Sequence, residues 1–84
     1  MLIIAFAPEF IRLVRRCPPD VQKEVYERVE LFKDRANHQL LRVHKLKGKK
    51  GRHSFSLNYK LRIHFRYLTS NTALLLTIGD HDDY

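Results

Sequence analysis

The stretch that decides the fold is SFSLNYKLRIHFRY, residues 54–67, in which apolar and polar side chains alternate. A period of two sends successive side chains to opposite faces of a β-strand. Turn-forming and polar residues interrupt the alternation once, at Asn58-Tyr59-Lys60. The stretch therefore predicts a β-hairpin with one apolar face and one solvated, basic face. The solvated face is expected to carry Ser54, Ser56, Asn58, Arg62, His64 and Arg66.

A second turn and another strand follow this hairpin. Residues 69–72, Thr-Ser-Asn-Thr, are turn formers, and residues 73–78 are apolar almost throughout. A uniformly apolar run is typical of a strand that is covered on both faces. We therefore expect residues 73–78 in the interior of the sheet.

The N-terminal half predicts one strand and two helices. Residues 2–6 are a short β-prone run that ends before Pro8, and residues 9–16 predict a helix that Pro18-Pro19 terminates. A second helix follows, with apolar residues at helical spacings of three and four: Val21, Val25, Val29, Phe32 and Ala36. The expected fold class is α+β, with two N-terminal helices packed on a twisted, mainly antiparallel sheet in the order β-α-α-β-β-β.

Length and composition limit the chain to one globular domain, residues 1–84. Eighty-four residues at 10.1 kDa bury only about 60% of their unfolded surface. With 44% apolar and 30% charged residues the chain is not disordered, and its single cysteine, Cys17, excludes an internal disulfide. No apolar run approaches the ~20 residues of a membrane span, and no secretory signal is evident, so a cytoplasmic location is expected.

The positive charge is concentrated in the second half of the chain. Residues 36–72 hold nine basic and no acidic residues, and no carboxylate occurs from Arg35 to Gly79. A merely soluble surface would mix both signs, so this segment favours binding to a polyanion over the alternative of a solvated face. The candidate phosphate-binding residues are Lys45, Lys47, Lys49, Lys50, Arg52, Lys60, His64 and Arg66.

Histidines supply candidates for acid–base chemistry. His81 follows the last strand beside Asp80, Asp82 and Asp83, which favour its protonated form and suit a general acid, although a surface histidine fits equally well. His44, before the loop lysines, is a weaker candidate for a base. No histidine spacing supports a metal site, and no nucleotide-cofactor fingerprint occurs, so neither metal nor cofactor is expected.

Taken in order, these segments resemble the RelE/ParE superfamily of bacterial type II toxins, and within it the RelE/YafQ-like branch. The resemblance is carried by Phe10 with its helix, by HKLKG at residues 44–48, by LRIHFRY at residues 61–67 and by LLTIGDHDDY at residues 75–84. It covers nearly the whole chain. It implies a ribosome-dependent mRNA endonuclease that cleaves in the A site by attack of a ribose 2′-OH, and that a cognate antitoxin neutralises.

The resemblance also implies roles for four residues. His81 matches a C-terminal histidine of the YafQ-like branch, and Tyr84 matches the terminal aromatic that orients a base. Arg62 matches the arginine that binds the scissile phosphate, and His44 matches a histidine before the Leu-x-Gly turn. The further active-site His and Asp of that branch fall near Ser56 and Lys60, so the identity of the general base stays open. A ParE-like gyrase inhibitor and an inactive RNA- or ribosome-binding relative are the alternatives.

Overall fold

The computed structural model describes residues 1–80, and it consists of a five-stranded sheet with two helices on one face. His81 and Tyr84, expected in the site, lie outside the described residues. The elements in chain order are β1 (Ile3–Phe6), α1 (Pro8–Arg16), α2 (Pro19–Phe32), β2 (His44–Lys45), β3 (His53–Ser56), β4 (Leu61–Thr69) and β5 (Thr72–Asp80). No helix within residues 1–80 is long and apolar enough to cross a membrane.

The strands lie side by side in the order β1-β5-β4-β3-β2. β1 runs parallel to β5, and every other pair is antiparallel. The α+β class and the interior position of residues 73–78 are confirmed, because β5 lies between β1 and β4. The structure adds β2, whose two residues are too few to produce a period that could be recognised in the sequence.

The β3–β4 hairpin forms where the alternation predicts it. Phe55 pairs with Ile63, and Ser54 pairs with His64. Oδ1 of Asn58 accepts hydrogen bonds from the backbone N–H of Lys60 and of Leu61, both at 2.8 Å, which closes the turn. This local hydrogen bonding explains why the interruption at residues 58–60 is a turn.

Aromatic packing between α2 and the sheet forms the centre of the core. The ring of Phe32 stacks on Phe55 with centroids 4.3 Å apart, and Phe65 meets the same ring edge-on at 4.8 Å. Val25 and Val29 are buried on the same face of α2, as their spacing predicts. This apolar layer holds β3 and β4 rigidly from the helix side.

The second helix ends at Phe32, four residues before the predicted Ala36. The carboxylate of Asp34 accepts a hydrogen bond of 2.9 Å from the backbone N–H of Ala36, and a separate 3₁₀ turn, Arg35–Asn37, begins there. An Asp side chain competes with the helical backbone bonds in this way. Ala36 therefore belongs to the connection rather than to α2.

The expected solvated face of the hairpin is the main correction. Arg62 is 8% exposed and His64 is 3% exposed, while only Arg66 among the three β4 residues is open to solvent. β4 has a neighbouring strand on each side, and Arg62 lies along the sheet against the short side chain of Ser54 instead of extending into water. Two of the three cationic or titratable β4 side chains are therefore enclosed.

Candidate active site

The strand register brings four polar residues from four strands into one row on the sheet face opposite the helices. His44 pairs with Ser54, Ser54 pairs with His64, and His64 pairs with Thr77. Side chains directly opposite each other on neighbouring strands are close enough to interact. The row therefore forms a continuous polar strip across β2, β3, β4 and β5.

Arg62 belongs to the next row, between Ser56 and Gly79, and reaches back into this strip. Its Nη1 lies 3.2 Å from Nε2 of His44 and 3.3 Å from Oγ of Ser54. The side chain crosses β3 to reach His44 on β2. The guanidinium is consequently fixed over the centre of the strip.

The partners of His44 define its tautomer. A guanidinium has donors and no acceptor, so Nε2 of His44 is the acceptor in its contact with Arg62. Nδ1 therefore carries the hydrogen and donates it to the carbonyl oxygen of Arg42 at 2.9 Å. His44 is accordingly a neutral imidazole whose Nε2 lone pair points to the guanidinium.

The backbone of Arg42 takes an unusual conformation to provide this acceptor. Its φ is +58°, a left-handed value that is uncommon for a residue other than glycine. The turn is held by hydrogen bonds from the N–H of Arg42 to the oxygen of Gln39 and from the N–H of Val43 to the oxygen of His38. The sequence contains no glycine or asparagine at this position, so sequence reasoning missed the contribution of Arg42.

The basic residues predicted to bind phosphate are divided among four places. Lys47, Lys49 and Lys50 are exposed on the loop after β2, which Leu46, 3% exposed, anchors to the core. Lys60 lies in the β3–β4 turn, at one end of the hairpin. Lys45 lies in β2, and Arg52 and Arg66 line a cleft at the other end of the hairpin.

His53 lies in β3, on the sheet face that the helices cover. Its ring stacks on Phe65 with centroids 5.4 Å apart and meets Tyr67 edge-on at 5.2 Å. Burial lowers the pKa of His53 below 6.5, and the charge of Lys45 lowers it further, against an opposing hydrogen bond with the backbone of Gly51. The lowered pKa favours the neutral imidazole, and the ring contacts make His53 a packing residue outside the strip.

The structure brings together Arg62, His44 and His64 among the predicted site residues and adds Ser54. Ser54 is fully buried and its hydroxyl is 3.3 Å from Arg62. Its place on the polar face of the hairpin was visible in the alternation, but its contact with Arg62 depends on the path of that long side chain. The arrangement combines a fixed cation with a neutral imidazole, which suits binding and deprotonation at a phosphate ester.

The helix side of the molecule has a different character. An apolar groove of about 630 Å³ lies between α1 and α2 and is lined by Phe10, Val14, Val25 and Val29 among others. It contains none of the residues of the strip. Within residues 1–80 no group of three or more His, Cys, Asp or Glu side chains is arranged to hold a metal ion.

Comparison with solved structures identifies the fold. No protein-family model matches the chain, and no curated protein matches its sequence. The chain is similar to a chain of the archaeal RelE–RelB complex from Pyrococcus horikoshii, with a TM-score of 0.75 at 10% identity over 99% of this chain and 98% of that chain. A chain of the YoeB–YefM complex from Staphylococcus aureus matches with a TM-score of 0.72 at 17% identity over 96% and 98% of the two chains. HP0894 from Helicobacter pylori matches with a TM-score of 0.68 at 22% identity over 96% of both chains.

Identities of 22% or less show a shared fold. The chain therefore has the fold of the RelE and YoeB structures, and the fold implied by the resemblance of its sequence is confirmed.

Proposed function

We propose that this protein, which has the fold of the RelE and YoeB toxins, is the toxin of a type II toxin–antitoxin pair and an endoribonuclease that cuts mRNA in the ribosomal A site. Cleavage of mRNA on translating ribosomes would make the cytoplasm its place of action. The fold alone is compatible with several functions, so the proposal rests on the site.

One observation carries the proposal: Nη1 of the largely buried Arg62 is 3.2 Å from Nε2 of a neutral His44. A permanently charged guanidinium can bind the phosphoryl oxygens of RNA, and a neutral imidazole can accept the proton of a hydroxyl. Because Arg62 fixes the phosphate, the adjacent ribose 2′-OH would come close to His44. The pair therefore meets two requirements of RNA cleavage by 2′-OH attack.

The reaction would proceed by acid–base catalysis. As Arg62 turns its Nη1–H from His44 to the phosphoryl oxygens, where it stabilises the growing negative charge, Nε2 of His44 is released. Nε2 then takes the proton from the 2′-OH as its oxygen attacks the neighbouring phosphorus. The bond to the 5′-oxygen then breaks, and His81 protonates that oxygen as the general acid. The products are a 2′,3′-cyclic phosphate and a 5′-hydroxyl end. Tyr84 would orient a base of the bound strand.

Each requirement of this reaction is met by a side chain, so we propose that cleavage is independent of metal ions and cofactors. His64 and Ser54 extend the polar strip beside Arg62 and would contact the same phosphate or its ribose. Exposed lysines would hold the RNA strand by its phosphates, which adds affinity without sequence preference. They are Lys45 on β2, Lys47, Lys49 and Lys50 on the loop that follows, and Lys60 at the hairpin turn.

The proposed protein partners are a cognate antitoxin and the ribosome. The lysines of the β2–β3 loop are exposed. The segment from Arg35 to Gly79 contains no carboxylate, so no residue near these lysines in the sequence neutralises their charge. An acidic antitoxin segment that folds as it binds would mask these cations. Neutralising the acidic residues of that segment should weaken the complex, and an unchanged affinity would contradict masking by charge.

The test is to map mRNA 5′ ends after the protein is induced in translating cells. We expect new 5′-hydroxyl ends within translated codons for the natural protein, and loss of these ends for Arg62→Ala and for His44→Ala. Arg16→Ala, an exposed change on α1 that removes the same charge, is the matched control and should retain cleavage. In a purified translation reaction, a chelator selective for transition metals, added while free Mg²⁺ is kept at the level that ribosomes need, should leave cleavage unchanged.

Two outcomes would reject the proposal. Intact mRNA together with gyrase-dependent DNA breaks would establish a ParE-like inhibitor instead. Binding to ribosomes without any cleavage, by a protein that is folded and carries both residues, would establish an inactive relative.

A further inference from the structure

A second group of cations lies at the end of β4 away from the hairpin turn. Arg66, Arg52 and Lys50 line one cleft of about 270 Å³ together with Gly51 and Tyr67. This volume is below the roughly 300–1,000 Å³ of sites for drug-sized ligands, and it fits one phosphodiester group with its sugar.

Two arginines line this cleft together. Arg52 directly precedes β3, whose first residue, His53, pairs with Phe65, and Arg66 directly follows Phe65 on β4. Like charges that are held close together repel each other. Such a pair is most readily understood as the receptor for a negative group that neutralises both cations.

The protein itself does not neutralise them within the described part of the chain. Between side chains of residues 1–80, ion pairs join Arg12 to Glu9 and Lys33 to Glu30, both at the helices. The side chains of Lys50, Arg52 and Arg66 make no ion pair or hydrogen bond in that range. The cleft consequently presents three cationic donors and is lined by no carboxylate among the described residues.

The wall of the cleft is ordered by its neighbours. The guanidinium of Arg35 lies 5.6 Å from the centre of the Tyr67 ring and donates a hydrogen bond to the oxygen of Ser70. On the loop side, the N–H of Arg52 donates to the oxygen of Lys49 at 3.0 Å, and Gly51 adopts a φ of +72° between the two cationic residues. A side chain other than glycine would strain this turn, so Gly51 permits Lys50 and Arg52 to converge.

The position of the cleft shows that it would bind a different phosphate from the one at Arg62. Arg62 and Arg66 lie four residues apart on one face of β4, so their Cα atoms are about 13 Å apart. The Arg62 guanidinium is held on His44 and Ser54, and none of these three residues lines the cleft. We propose that the cleft of Lys50, Arg52 and Arg66 is a second phosphate-binding subsite, which holds an RNA phosphodiester beyond the scissile one; the identity of the strand rests on the proposed function.

The test measures binding instead of cleavage, so it does not depend on the proposed reaction. The probes are 2′-O-methyl RNA strands, which lack the attacking hydroxyl: a dinucleotide with a single phosphodiester and a strand of about eight nucleotides. The variant is Arg52→Gln with Arg66→Gln, and the matched control is Arg15→Gln with Arg16→Gln on the exposed side of α1, which removes the same charge. Circular dichroism of both variants checks that they are folded.

We expect the Arg52/Arg66 variant to bind the longer strand at least about tenfold more weakly than the natural protein does. The slope of the logarithm of the binding constant against the logarithm of the salt concentration should fall by about 1.4. The affinity for the dinucleotide should be the same in the variant and in the natural protein. The control should change both affinities little. If only the affinity for purified ribosomes falls, the subsite stands and its phosphodiester comes from ribosomal RNA. If the Arg52/Arg66 variant behaves like the control with both the longer strand and ribosomes, the subsite is rejected.

Failure of the proposed function would look different. In that case the natural protein would cut no mRNA, while the Arg52/Arg66 variant could still lose affinity for the longer strand. Conversely, the Arg52/Arg66 variant could still cleave mRNA while its RNA binding keeps the salt dependence of the natural protein. That result would reject the subsite and leave the endonuclease proposal intact.

Discussion

Nη1 of Arg62 on β4 lies 3.2 Å from Nε2 of His44 on β2, although the two residues are 18 positions apart and β3 lies between their strands. The contact requires the guanidinium to cross the small side chain of Ser54. It also requires a histidine whose other nitrogen is already engaged by the carbonyl of Arg42. This relationship makes the two residues one functional unit, and the first prediction addresses it.

Replacement of His44 by Ala or of Arg62 by Ala is expected to lower turnover more than binding to ribosomes. Loss of a general base typically costs about 10²–10⁴-fold, and loss of a donor to a developing oxyanion costs about 10²–10³-fold. Because the two act together, the double variant should lose less than the product of the single losses. Single-turnover cleavage on programmed ribosomes measures the rates of the natural protein, the two single variants and the double variant. A double-variant loss equal to the product of the two single losses would contradict the coupling.

The exposed lysines of the β2–β3 loop are expected to act through charge alone. Changing Lys47 and Lys49 to Gln should weaken RNA binding. The slope of the logarithm of the binding constant against the logarithm of the salt concentration should fall by about 0.7 for each RNA phosphate that the variant no longer neutralises. The rate of cleavage at saturating ribosome concentration should change little. Lys23→Gln on α2 is the control, and a large fall in that saturated rate would instead indicate a catalytic role for the loop.

The left-handed backbone of Arg42 should tolerate glycine and reject a β-branched residue. Arg42→Gly keeps the carbonyl that accepts from His44, whereas Arg42→Val is expected to reduce the free energy of unfolding by about 1–2 kcal/mol because of its φ of +58°. Urea denaturation measures this difference. Nitrogen chemical shifts should report the Nδ1–H tautomer of His44 in Arg42→Gly, and finding the Nε2–H form there would contradict the assignment.

His53 should make the protein less stable as the pH falls below about 6.5. Its pKa in the folded protein is lowered, chiefly by burial, so the unfolded chain binds more protons between the folded and the unfolded pKa values. The free energy of unfolding therefore rises with pH in that range and falls on acidification. Urea denaturation from pH 7.5 to 5 should show a weaker pH dependence for His53→Gln than for the natural protein. An equal dependence in both would contradict this role.

Phe32 is expected to dominate the stability of the core. Its ring is fully buried and contacts Phe55 and Phe65, so Phe32→Ala should reduce the free energy of unfolding by about 3–5 kcal/mol. Tyr59→Ala is the control, because Tyr59 is 93% exposed and its loss should change stability by less than about 0.5 kcal/mol. Denaturant unfolding followed by circular dichroism compares them, and similar midpoints for the two variants would contradict this account.

The hairpin, the helical faces and the concentration of charge could be predicted from the sequence because they depend on neighbouring residues. Alternation over residues 54–67 defines which side chains share a face, and Asn58 closes its turn with its own carboxamide. The face of α2 follows from spacings of three and four. The absence of carboxylates from Arg35 to Gly79 is a property of composition alone.

Only the tertiary structure decided how this basic face is used. The sequence predicts that Arg62 and His64 are solvated, yet both are buried, because β3 and β5 flank β4 and Arg62 lies across Ser54 toward His44. The tautomer of His44, the left-handed Arg42 and the meeting of Arg52 with Arg66 likewise depend on cross-strand partners. Those partners are distant in sequence, and the path of a long side chain is determined by the residues that surround it after folding.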